Sequence, residues 1–580
     1  MTEFRIFPQL VKPIRRFASL KIKTKQAEAC STENRHHNAR LNRLNSIAPI
    51  RSRAAEEGNF QISLWGIPFV LFILYVCLFS GLGALGLVGP DEPRYAAIAR
   101  AMAETHDWVT PRLWGTPWFE KPVLYYWTAG IAMRLFGVSE FAARLPSALA
   151  ALLAVVAIKW TALRTYGVGA AWYSLLMLPT SVAMIGFSRA ASPDMLFAGL
   201  LTAAMAVACE MLLKPRPGPI LRIAFGFFLG AAVLAKGPAA VILAGGATLL
   251  WAALTRQWRA PFRFLHPLVI AVFCATALPW YVLCALRNPD FLRVFIWQHN
   301  FERYLTPVFE HRQPFYYYGY ILLIAVLPWV IFLFVAALSG INRLKKRFSP
   351  DSVDIFLACW ALFPVMFFSI SQSKLPGYIL PGIPPIMILL SRWVSISIVN
   401  NTKTVLATLG GTGVLLLLLV SKPVATFVSV AAGLFPNQLI LAGIIISFLG
   451  VGVILLAVMK RPVAALLLIT IVVTSTVEFA NFALLPGLDN QISSRALAER
   501  LFRKGVSGDN IAIYELPRSW KYGLDYYMNR DLPEWVPNQS EPEWILGGAQ
   551  TELLTSARYK IVSSESLRGI PFTLFLYQRK

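Results

Sequence analysis

Two acid–base pairs stand in one stretch of sequence that follows a long apolar run. The segment GPDEPRYAAIARAMAETHDW (89–108) contains Asp91, Glu92 and Arg94, and further along Glu120 directly precedes Lys121. A carboxylate can accept a proton from a reacting group, and a fixed cation can stabilise developing negative charge. The alternative is an aromatic belt with solvated charges, since the stretch is rich in Trp, Tyr and Pro. A belt does not require paired acids and bases, so the pairs favour an active site at a membrane surface.

Two further ionisable residues lie next to or within apolar runs. Asp194 stands in ASPDM, at the start of one run, and Lys236 is embedded in apolar sequence. Ionisable side chains are expensive inside a membrane, so both are candidates for a functional site. The alternative is a structural ion pair between neighbouring spans, which is compatible with holding a substrate group.

The composition is that of an integral membrane protein. Of the 580 residues, 56% are hydrophobic and 14% are charged, and the mean hydropathy is +0.57. A soluble domain carries about 25% charged residues. The net charge of +24 comes mostly from short loops and the N-terminal extension, so nucleic-acid binding is not indicated. The six cysteines form no C-x-x-C pair, which leaves a redox or zinc-finger function without support.

Thirteen apolar runs are long enough to cross a bilayer as helices, which takes about 20 residues each. They are residues 62–83, 142–163, 168–187, 193–213, 221–235, 238–254, 266–286, 317–339, 354–371, 377–397, 404–421, 437–458 and 463–485. Basic loops alternate along the chain, and the positive-inside rule places them in the cytoplasm together with the N-terminus. The odd number of spans then puts the C-terminus outside. The outer loops are 84–141, called here the first outer loop, and 188–192, 235–238, 287–316 and 372–376.

The chain is predicted to have three parts. Residues 1–60 are a basic, poorly ordered cytoplasmic extension, and residues 61–485 form the transmembrane domain. Residues 486–580, called here the C-terminal region, are predicted to form a small soluble α/β domain on the outer face. In it, SSRALAERLFRKG has helical periodicity, with Ser493 or Ser494 as the cap, and NIAIYEL, YKIVSS and PFTLFLYQ have the pattern of short strands. The region contains no catalytic motif, and a lid or a partner-docking element is the expected role.

The charged stretch resembles a known family. GPDEPRYAAIARAMAETHDWVTPRLWGTPWFEKPVLYYW is similar to the first outer loop of the lipid-carrier-dependent glycosyltransferases of the GT-C class. In particular it resembles the bacterial undecaprenyl-phosphate-aminoarabinose transferases that modify lipid A, which are relatives of the protein O-mannosyltransferases. The resemblance continues through SRAASPDMLF, AKGP, HNFERY, HRQPFYYY and SKLPGYILPGIP, and so covers roughly residues 60 to 400. It implies a GT-C fold of α-helical spans with interfacial helices in the first outer loop.

The resemblance implies a sugar donor carried on a polyprenyl (undecaprenyl) phosphate. When the sugar leaves, negative charge grows on the lipid phosphate, and fixed cations stabilise that charge. Lys121, Arg303 and Lys374 are the predicted cations, and Tyr378 is a predicted hydrogen-bond donor. For each cation the alternative is snorkelling or a contact with a lipid headgroup.

The resemblance also implies roles for the acids. Asp91 heads the motif and is the first candidate for the base that accepts a proton from the acceptor, and Asp194 is the second predicted catalytic acid. Successive helical residues diverge by about 100°, so Asp91 and Glu92 are not expected to share one role. The other predicted substrate contacts are Glu92, Arg94, Tyr95 and Lys236.

No cofactor is required for such a transfer, and the sequence has no nucleotide-sugar motif. Relatives carry a metal near the first outer loop, so Glu120 and His299 are predicted ligands of a structural divalent ion such as zinc. Because cations already supply the charge at the phosphate, such a metal would be structural.

The sequence therefore predicts a multi-pass glycosyltransferase of the bacterial inner (plasma) membrane, with its C-terminal region in the periplasm. Lipid A, another glycan or a protein is the acceptor, and which sugar is moved stays open. A transporter or lipid flippase is the alternative, since it has a similar number of spans. It would place polar residues near the bilayer midplane, often in inverted repeats. Here the charges cluster in outer loops and no internal repeat is found.

The first prediction concerns topology. In a variant lacking the native cysteines, a cysteine placed in the 342–347 loop is expected to be shielded from an impermeant thiol reagent in intact cells, whereas one near residue 500 is expected to react. The basic residues of the loop hold it in the cytoplasm. The same labelling carried out on lysed cells provides the control for both positions. The reverse pattern would overturn the assignment of the charged loops to the outer face.

Overall fold

The computed structural model describes residues 66–302, 313–345, 352–419, 436–536, 541–548, 558–567, 570 and 573–580. All of them belong to one compact unit, Gln61–Lys580. The predicted extension 1–60 lies outside the described residues.

Apolar helices make up most of the described chain. In chain order the α-helices are α1 (Gly66–Leu74), α2 (Asp91–Thr105), α3 (Leu124–Phe136), α4 (Glu140–Tyr166), α5 (Val168–Met177), α6 (Val182–Ser188), α7 (Pro193–Leu213), α8 (Pro219–Lys236), α9 (Ala239–Thr255), α10 (Pro267–Arg287), α11 (Tyr317–Ala325), α12 (Val330–Lys345), α13 (Ser352–Ile370), α14 (Ile383–Asn400), α15 (Thr402–Leu419), α16 (Pro436–Val458), α17 (Pro462–Phe479), α18 (Leu485–Ile492), α19 (Ser494–Arg503) and α20 (Arg518–Met528). Short π- or 3-10-helical segments are Tyr75–Phe79, Pro261–Leu265, Arg293–Glu302, Pro376–Gly382 and Ala480–Leu484.

The helices account for the apolar runs of the sequence. Within the described residues, eight helices are long and apolar enough to cross a membrane, or up to ten if each of two bent pairs is one span. The bent pairs are α5 with α6 and α11 with α12, and α1, α9 and the second part of α16 are shorter apolar helices. Each predicted run corresponds to one of these helices or pairs. By the length and composition of its helices the chain is a multi-pass membrane protein, and the count of thirteen spans stays a prediction.

Helix α7 is packed closely on both of its neighbours. Nearly all of its residues are buried, and it contacts α4 and α8. At Gly199 a Cβ atom would lie 2.3 Å from the carbonyl oxygen of Ala150 in α4, so only glycine permits this approach. The helix begins at Pro193, after Ser192, whose side chain accepts a hydrogen bond from the backbone of Asp194. Packing and capping together fix the position of Asp194 in the first turn.

The first outer loop contains the helix that its sequence predicts. Tyr95, Ile98 and Met102, which stand at helical spacing, are all buried along α2. Helix α3 packs against α2. Between them in sequence is a short antiparallel hairpin of two strands, β1 (Arg112–Leu113) and β2 (Thr116–Pro117), each two residues long. The first outer loop is therefore folded, and one face of α2 is buried within it.

The C-terminal region folds around a four-stranded sheet. Its strands are β3 (Ile511–Tyr514), β4 (Trp544–Gly548), β5 (Tyr559–Glu565) and β6 (Leu574–Arg579), in the order β3-β4-β6-β5. Only β3 and β4 are parallel. The predicted strands correspond to β3, β5 and β6, and α19 begins after Ser493 as its sequence indicates. Strand β4 was not predicted, because it ends in two glycines, which are depleted in strands.

The chain between α1 and α2 is irregular and depends on a buried arginine. Arg144 of α4 donates hydrogen bonds to the carbonyl oxygens of Leu82, Leu85 and Gly86, at 2.8, 2.6 and 2.8 Å. Buried backbone groups outside helices and sheets need such partners. The same guanidinium pairs with Glu92, with 2.8 Å between Nη2 and Oε2. Arg144 is thus the centre of this turn.

The carboxylate of Glu92 is bonded on every side. Besides Arg144, it accepts hydrogen bonds from the backbone nitrogens of Val88 (2.9 Å) and Ala191 (2.6 Å). Glu92 is 7% exposed and Arg144 is 3% exposed. The Glu92–Arg144 pair therefore joins α2, α4 and the turn that precedes α7.

The C-terminal region binds the same irregular segment as Arg144. Arg495 donates to the carbonyl oxygens of residues 83 and 84, and the Asp489 carboxylate accepts from the backbone nitrogen of residue 86 at 2.7 Å. The Tyr527 hydroxyl accepts from the backbone nitrogen of residue 87 at 2.8 Å. Arg495 and Tyr527 also both contact the Glu140 carboxylate, at 3.2 and 2.8 Å. The C-terminal region is therefore docked on the first outer loop.

The second prediction concerns this buried pair. Arg144→Met is expected to lower the free energy of unfolding by about 3–5 kcal/mol, because it leaves the Glu92 charge buried without its partner. The matched control is Arg100→Met, since Arg100 forms a helix-surface pair with Glu104 whose worth is about 0.5 kcal/mol. Thermal melting of the purified protein in detergent measures both. Equal melting temperatures for the two variants would show that the pair is not required for the fold.

Candidate active site

The two acid–base pairs of the first outer loop meet in one cluster. Arg94 of α2 forms ion pairs with Asp91, one turn earlier, and with Glu120, where Nη2 and Oε2 are 3.2 Å apart. Lys121 Nζ lies 3.5 Å from the other oxygen of Glu120. These four residues are called here the outer-loop cluster. Acids and bases alternate along it, from Asp91 to Lys121.

The cluster is open at Asp91 and closed at its centre. The Asp91 side chain is 53% exposed, whereas those of Arg94, Glu120 and Lys121 are 7%, 10% and 15% exposed. Ion pairs at exposed positions contribute little, but buried ones are strong because water does not screen them. The buried centre therefore holds an accessible carboxylate in a defined place.

Aromatic rings enclose the guanidinium of Arg94. Its central carbon lies 5.6 Å from the ring centroid of Tyr95, 5.4 Å from that of Trp118 and 5.4 Å from that of Tyr522. Burial by itself lowers the pKa of Arg94. The charge interactions with Glu120, Tyr95, Asp91 and Tyr522, of which that with Glu120 is the largest, together outweigh burial and raise that pKa above its usual range. Arg94 therefore stays positive beside both carboxylates.

In the described part of the chain, Glu92 and Tyr95 are buried and contact other groups of the protein. The Glu92 carboxylate is taken up by the Glu92–Arg144 pair and two backbone nitrogens. Tyr95 is 3% exposed and packs on Tyr125 and Tyr126, with ring centroids 6.1 and 6.2 Å away. Their predicted contact with substrate stays a prediction, and the contacts present indicate a supporting role.

Three motifs that are distant in sequence meet at the start of α7. Lys236, the last residue of α8, forms an ion pair with Asp194. Lys236 Nζ also lies 4.8 Å from the ring centroid of Tyr378 and 5.5 Å from that of Phe197. The loop carrying Tyr378 approaches closely, since a Cβ on Gly377 would lie 3.1 Å from the Asp194 carboxylate. Asp194, Lys236 and Tyr378 are called here the span-end cluster.

Asp194 and Lys236 of the span-end cluster form the ion pair between neighbouring spans that the sequence analysis gave as the alternative to a functional site. Its side chains stay partly open, with Lys236 12% and Asp194 26% exposed. The cation–π contact with Tyr378 stabilises the desolvated ammonium group of Lys236. The pair is therefore compatible both with joining α7 to α8 and with contacting a substrate group.

The remaining predicted cations differ in position. Lys374 is 7% exposed, and its Nζ donates a 2.6 Å hydrogen bond to the Ser371 carbonyl oxygen. Burial lowers the pKa of Lys374. Arg303 lies outside the described residues, so its predicted contact with phosphate stays a prediction.

The predicted metal ligands do not form a metal site by themselves. Glu120 has a cation beside each of its oxygens, Arg94 at one and Lys121 at the other, and two positive charges disfavour a further cation. His299 lies in the π-helical segment Arg293–Glu302. Over the described parts of the chain, no three His, Cys, Asp or Glu residues are grouped to hold a metal. Ligation by Glu120 and His299 stays a prediction, and no reaction step is assigned to a metal.

Sequence reasoning missed several residues that position the site. Arg144 and Arg189 are arginines in apolar sequence, and that signal was available for both. Arg189 donates to backbone carbonyl oxygens of the segment after α1, including those of Val76 (2.7 Å) and Ser80 (3.1 Å). For Tyr522 no local pattern exists, because its partner Arg94 lies at the other end of the chain.

Comparison with known proteins gives the class to which this fold and site correspond. Residues 63–295 match the family described as dolichyl-phosphate-mannose-protein mannosyltransferase. The matched residues include the whole outer-loop cluster and both charged members of the span-end cluster. The predicted resemblance to lipid-carrier-dependent glycosyltransferases is confirmed.

The similar curated proteins are more specific. The chain is 34% identical over 373 residues to the undecaprenyl phosphate-alpha-4-amino-4-deoxy-L-arabinose arabinosyl transferase of Edwardsiella ictaluri (strain 93-146), a match that covers 62% of this chain and 66% of that protein. It is 32% identical over 332 residues to the protein of the same name from Erwinia tasmaniensis, which covers 56% of this chain and 58% of the relative. The chain thus matches less than two thirds of the length of either relative.

A solved structure shares the fold. The crystal structure of ArnT from Cupriavidus metallidurans bound to undecaprenyl phosphate superposes with a TM-score of 0.71 at 23% sequence identity. The match covers 88% of this chain and 98% of that one, so the fold extends well beyond the matched family domain.

Proposed function

We propose that this protein transfers a sugar from a polyprenyl phosphate to an acceptor at the outer face of the bacterial inner membrane. The observation that carries the proposal is the outer-loop cluster, in which a buried arginine pairs with an exposed carboxylate, Asp91, and is linked through Glu120 to a lysine, Lys121. A lipid-phosphate donor needs a cation for its leaving group, and its acceptor needs a base. The cluster offers both kinds of group at one site.

The reaction we propose is a single displacement at the anomeric carbon. An acceptor oxygen attacks that carbon, the bond from the carbon to the lipid phosphate oxygen breaks, and polyprenyl phosphate leaves with the bonding pair. When the attacking oxygen carries a proton, Asp91 accepts it, since its side chain is exposed and held by Arg94. Lys121 stabilises the negative charge that grows on the departing phosphate.

The sugar and acceptor classes follow from the named relatives. Their names support an undecaprenyl-phosphate-linked 4-amino-4-deoxy-L-arabinose as donor, and the family resemblance supports lipid A as acceptor. Another glycan or a protein is the competing acceptor. Mass spectrometry of envelope lipids and glycans from cells with and without the protein distinguishes them, because each acceptor gains mass in a different fraction.

The orientation we propose has the N-terminus in the cytoplasm and the C-terminal region in the periplasm. It is supported by the loop charges and by the docking of the C-terminal region on the first outer loop, which puts both on one side. A flippase or transporter would leave the donor intact. Release of polyprenyl phosphate from a labelled lipid-linked sugar by the purified protein therefore separates the enzyme from that alternative.

The third prediction tests the base. Asp91→Asn keeps the size of the side chain but cannot take a proton, so turnover is expected to fall by about a hundred- to ten-thousand-fold. Donor affinity and melting temperature are expected to be near those of the unchanged protein. All three are measured on one preparation. Near-normal turnover would remove Asp91 from the mechanism, and a loss of affinity or stability in place of turnover would show that Asp91 only pins Arg94.

The fourth prediction tests the cations. Lys121→Ala and Arg303→Ala are expected to weaken binding of polyprenyl phosphate more than Asp91→Ala does, because each removes a charge-assisted contact with the phosphate. Arg112→Ala serves as a control, since Arg112 is a partly exposed arginine of the same loop with an Asp107 partner. Normal binding by both variants would show that these residues contact headgroups or support the fold.

A further inference from the structure

The C-terminal region reaches the outer-loop cluster through one side chain. Tyr522 of α20 places its ring 5.4 Å from the guanidinium carbon of Arg94, completing the aromatic enclosure begun by Tyr95 and Trp118. Tyr522 is half-buried, and a second guanidinium, from the exposed Arg518, lies 5.7 Å from the same ring. The enclosure is therefore built from two parts of the chain that are far apart in sequence.

The position of Tyr522 is fixed by contacts on its own helix. Five residues further on, Tyr527 bonds to the backbone of residue 87 and to Glu140. Lys521, next to Tyr522, bridges Asp525 (3.3 Å) and Asp531 (3.0 Å). Tyr527 thus holds α20 against the first outer loop, and Lys521 braces the helix within the C-terminal region, so the backbone that carries Tyr522 is held near Arg94.

The ring of Tyr522 adds a contact to a guanidinium whose two ion pairs both use one nitrogen, Nη2. Two of its contacts are the carboxylates of Asp91 and Glu120, while its Nε is buried without a hydrogen-bond partner in the described residues. A guanidinium held at one end only can rotate between its two carboxylates. An aromatic ring packed beside it restricts that rotation, attracts the cation and excludes water, which strengthens both ion pairs.

We propose that Tyr522 is a positioning residue for the sugar transfer. Its ring holds the Arg94 guanidinium in place, and Arg94 in turn orients the carboxylate of Asp91. The inference rests on the proposed function and extends it, since it makes the C-terminal region a part of the active site. Tyr522 acts through Arg94 and has no assigned contact with the reacting atoms. A displacement of a catalytic group by about 1 Å is enough to cost a large factor in rate.

The fifth prediction compares three tyrosine variants. Tyr522→Leu is expected to lower turnover on the order of tenfold at saturating donor, with the donor KM unchanged, because the base is misoriented while the phosphate contacts persist. Tyr522→Phe keeps the ring and is expected to restore turnover. The matched control is Tyr514→Leu, which removes a ring that packs on Trp535 in the same region. It is expected to lower the melting temperature without lowering turnover below that temperature.

A double-variant comparison shows whether the effect passes through Arg94. In an Arg94→Lys background the planar guanidinium is already absent, so Tyr522→Leu is expected to add little further loss. Two independent residues would instead multiply their effects. The assay is release of polyprenyl phosphate from the lipid-linked aminoarabinose donor by the full-length protein.

Each outcome decides the inference. Loss in Tyr522→Leu, recovery in Tyr522→Phe and non-multiplying effects with Arg94→Lys support it. Normal turnover in Tyr522→Leu, a loss that follows the melting temperature as in Tyr514→Leu, or multiplying effects overturn it while leaving the transferase function intact. If the unchanged protein releases no polyprenyl phosphate, the proposed function fails first and the inference fails with it.

Discussion

The buried Glu92–Arg144 pair is the interaction on which the rest of the site depends. The chain must leave its first apolar helix and enter α2 through an irregular segment whose carbonyl groups have no helical or strand partners. Arg144 satisfies three of those carbonyls and Glu92 together, at the boundary where water is scarce. A buried charge is tolerable only when it is paired and fully hydrogen-bonded. Because Glu92 is turned inward to meet Arg144, its neighbour Asp91 is turned away from the core and left exposed.

Charge alternation then fixes what the exposed carboxylate can do. From Asp91 through Arg94 and Glu120 to Lys121, each charge is compensated by the next, so the cluster has no net charge of its own. Its interior is shielded from water while its ends differ in sign. In the proposed reaction, the Asp91 end accepts a proton and the Lys121 end faces the lipid phosphate. The span-end cluster repeats the principle with one acid, one base and an aromatic ring over the cation.

The C-terminal region contributes to this arrangement through docking. Arg495, Asp489 and Tyr527 bond to the irregular segment that Arg144 also binds, so that the segment is held by both α4 and the C-terminal region. The same docking brings the ring of Tyr522 to Arg94. The C-terminal region, whose sequence shows no catalytic motif, thereby reaches the outer-loop cluster. The structural likeness to the Cupriavidus metallidurans protein extends over 88% of the chain, beyond the 63–295 domain.

By itself the sequence determined the apolar helices, the α2 stripe of Tyr95, Ile98 and Met102, three of the four strands, and the local pairs Asp91–Arg94 and Glu120–Lys121. These are near-neighbour features, and helical or strand periodicity and short spacing make them visible. The tertiary structure alone decided that Arg94 joins the two pairs, that Glu92 is bonded by Arg144, that strand β4 completes the sheet, and that Tyr522 covers Arg94. Each of these is a contact between segments far apart in the chain, where no spacing rule applies and only the packing of helices and the docking of the C-terminal region bring the partners together.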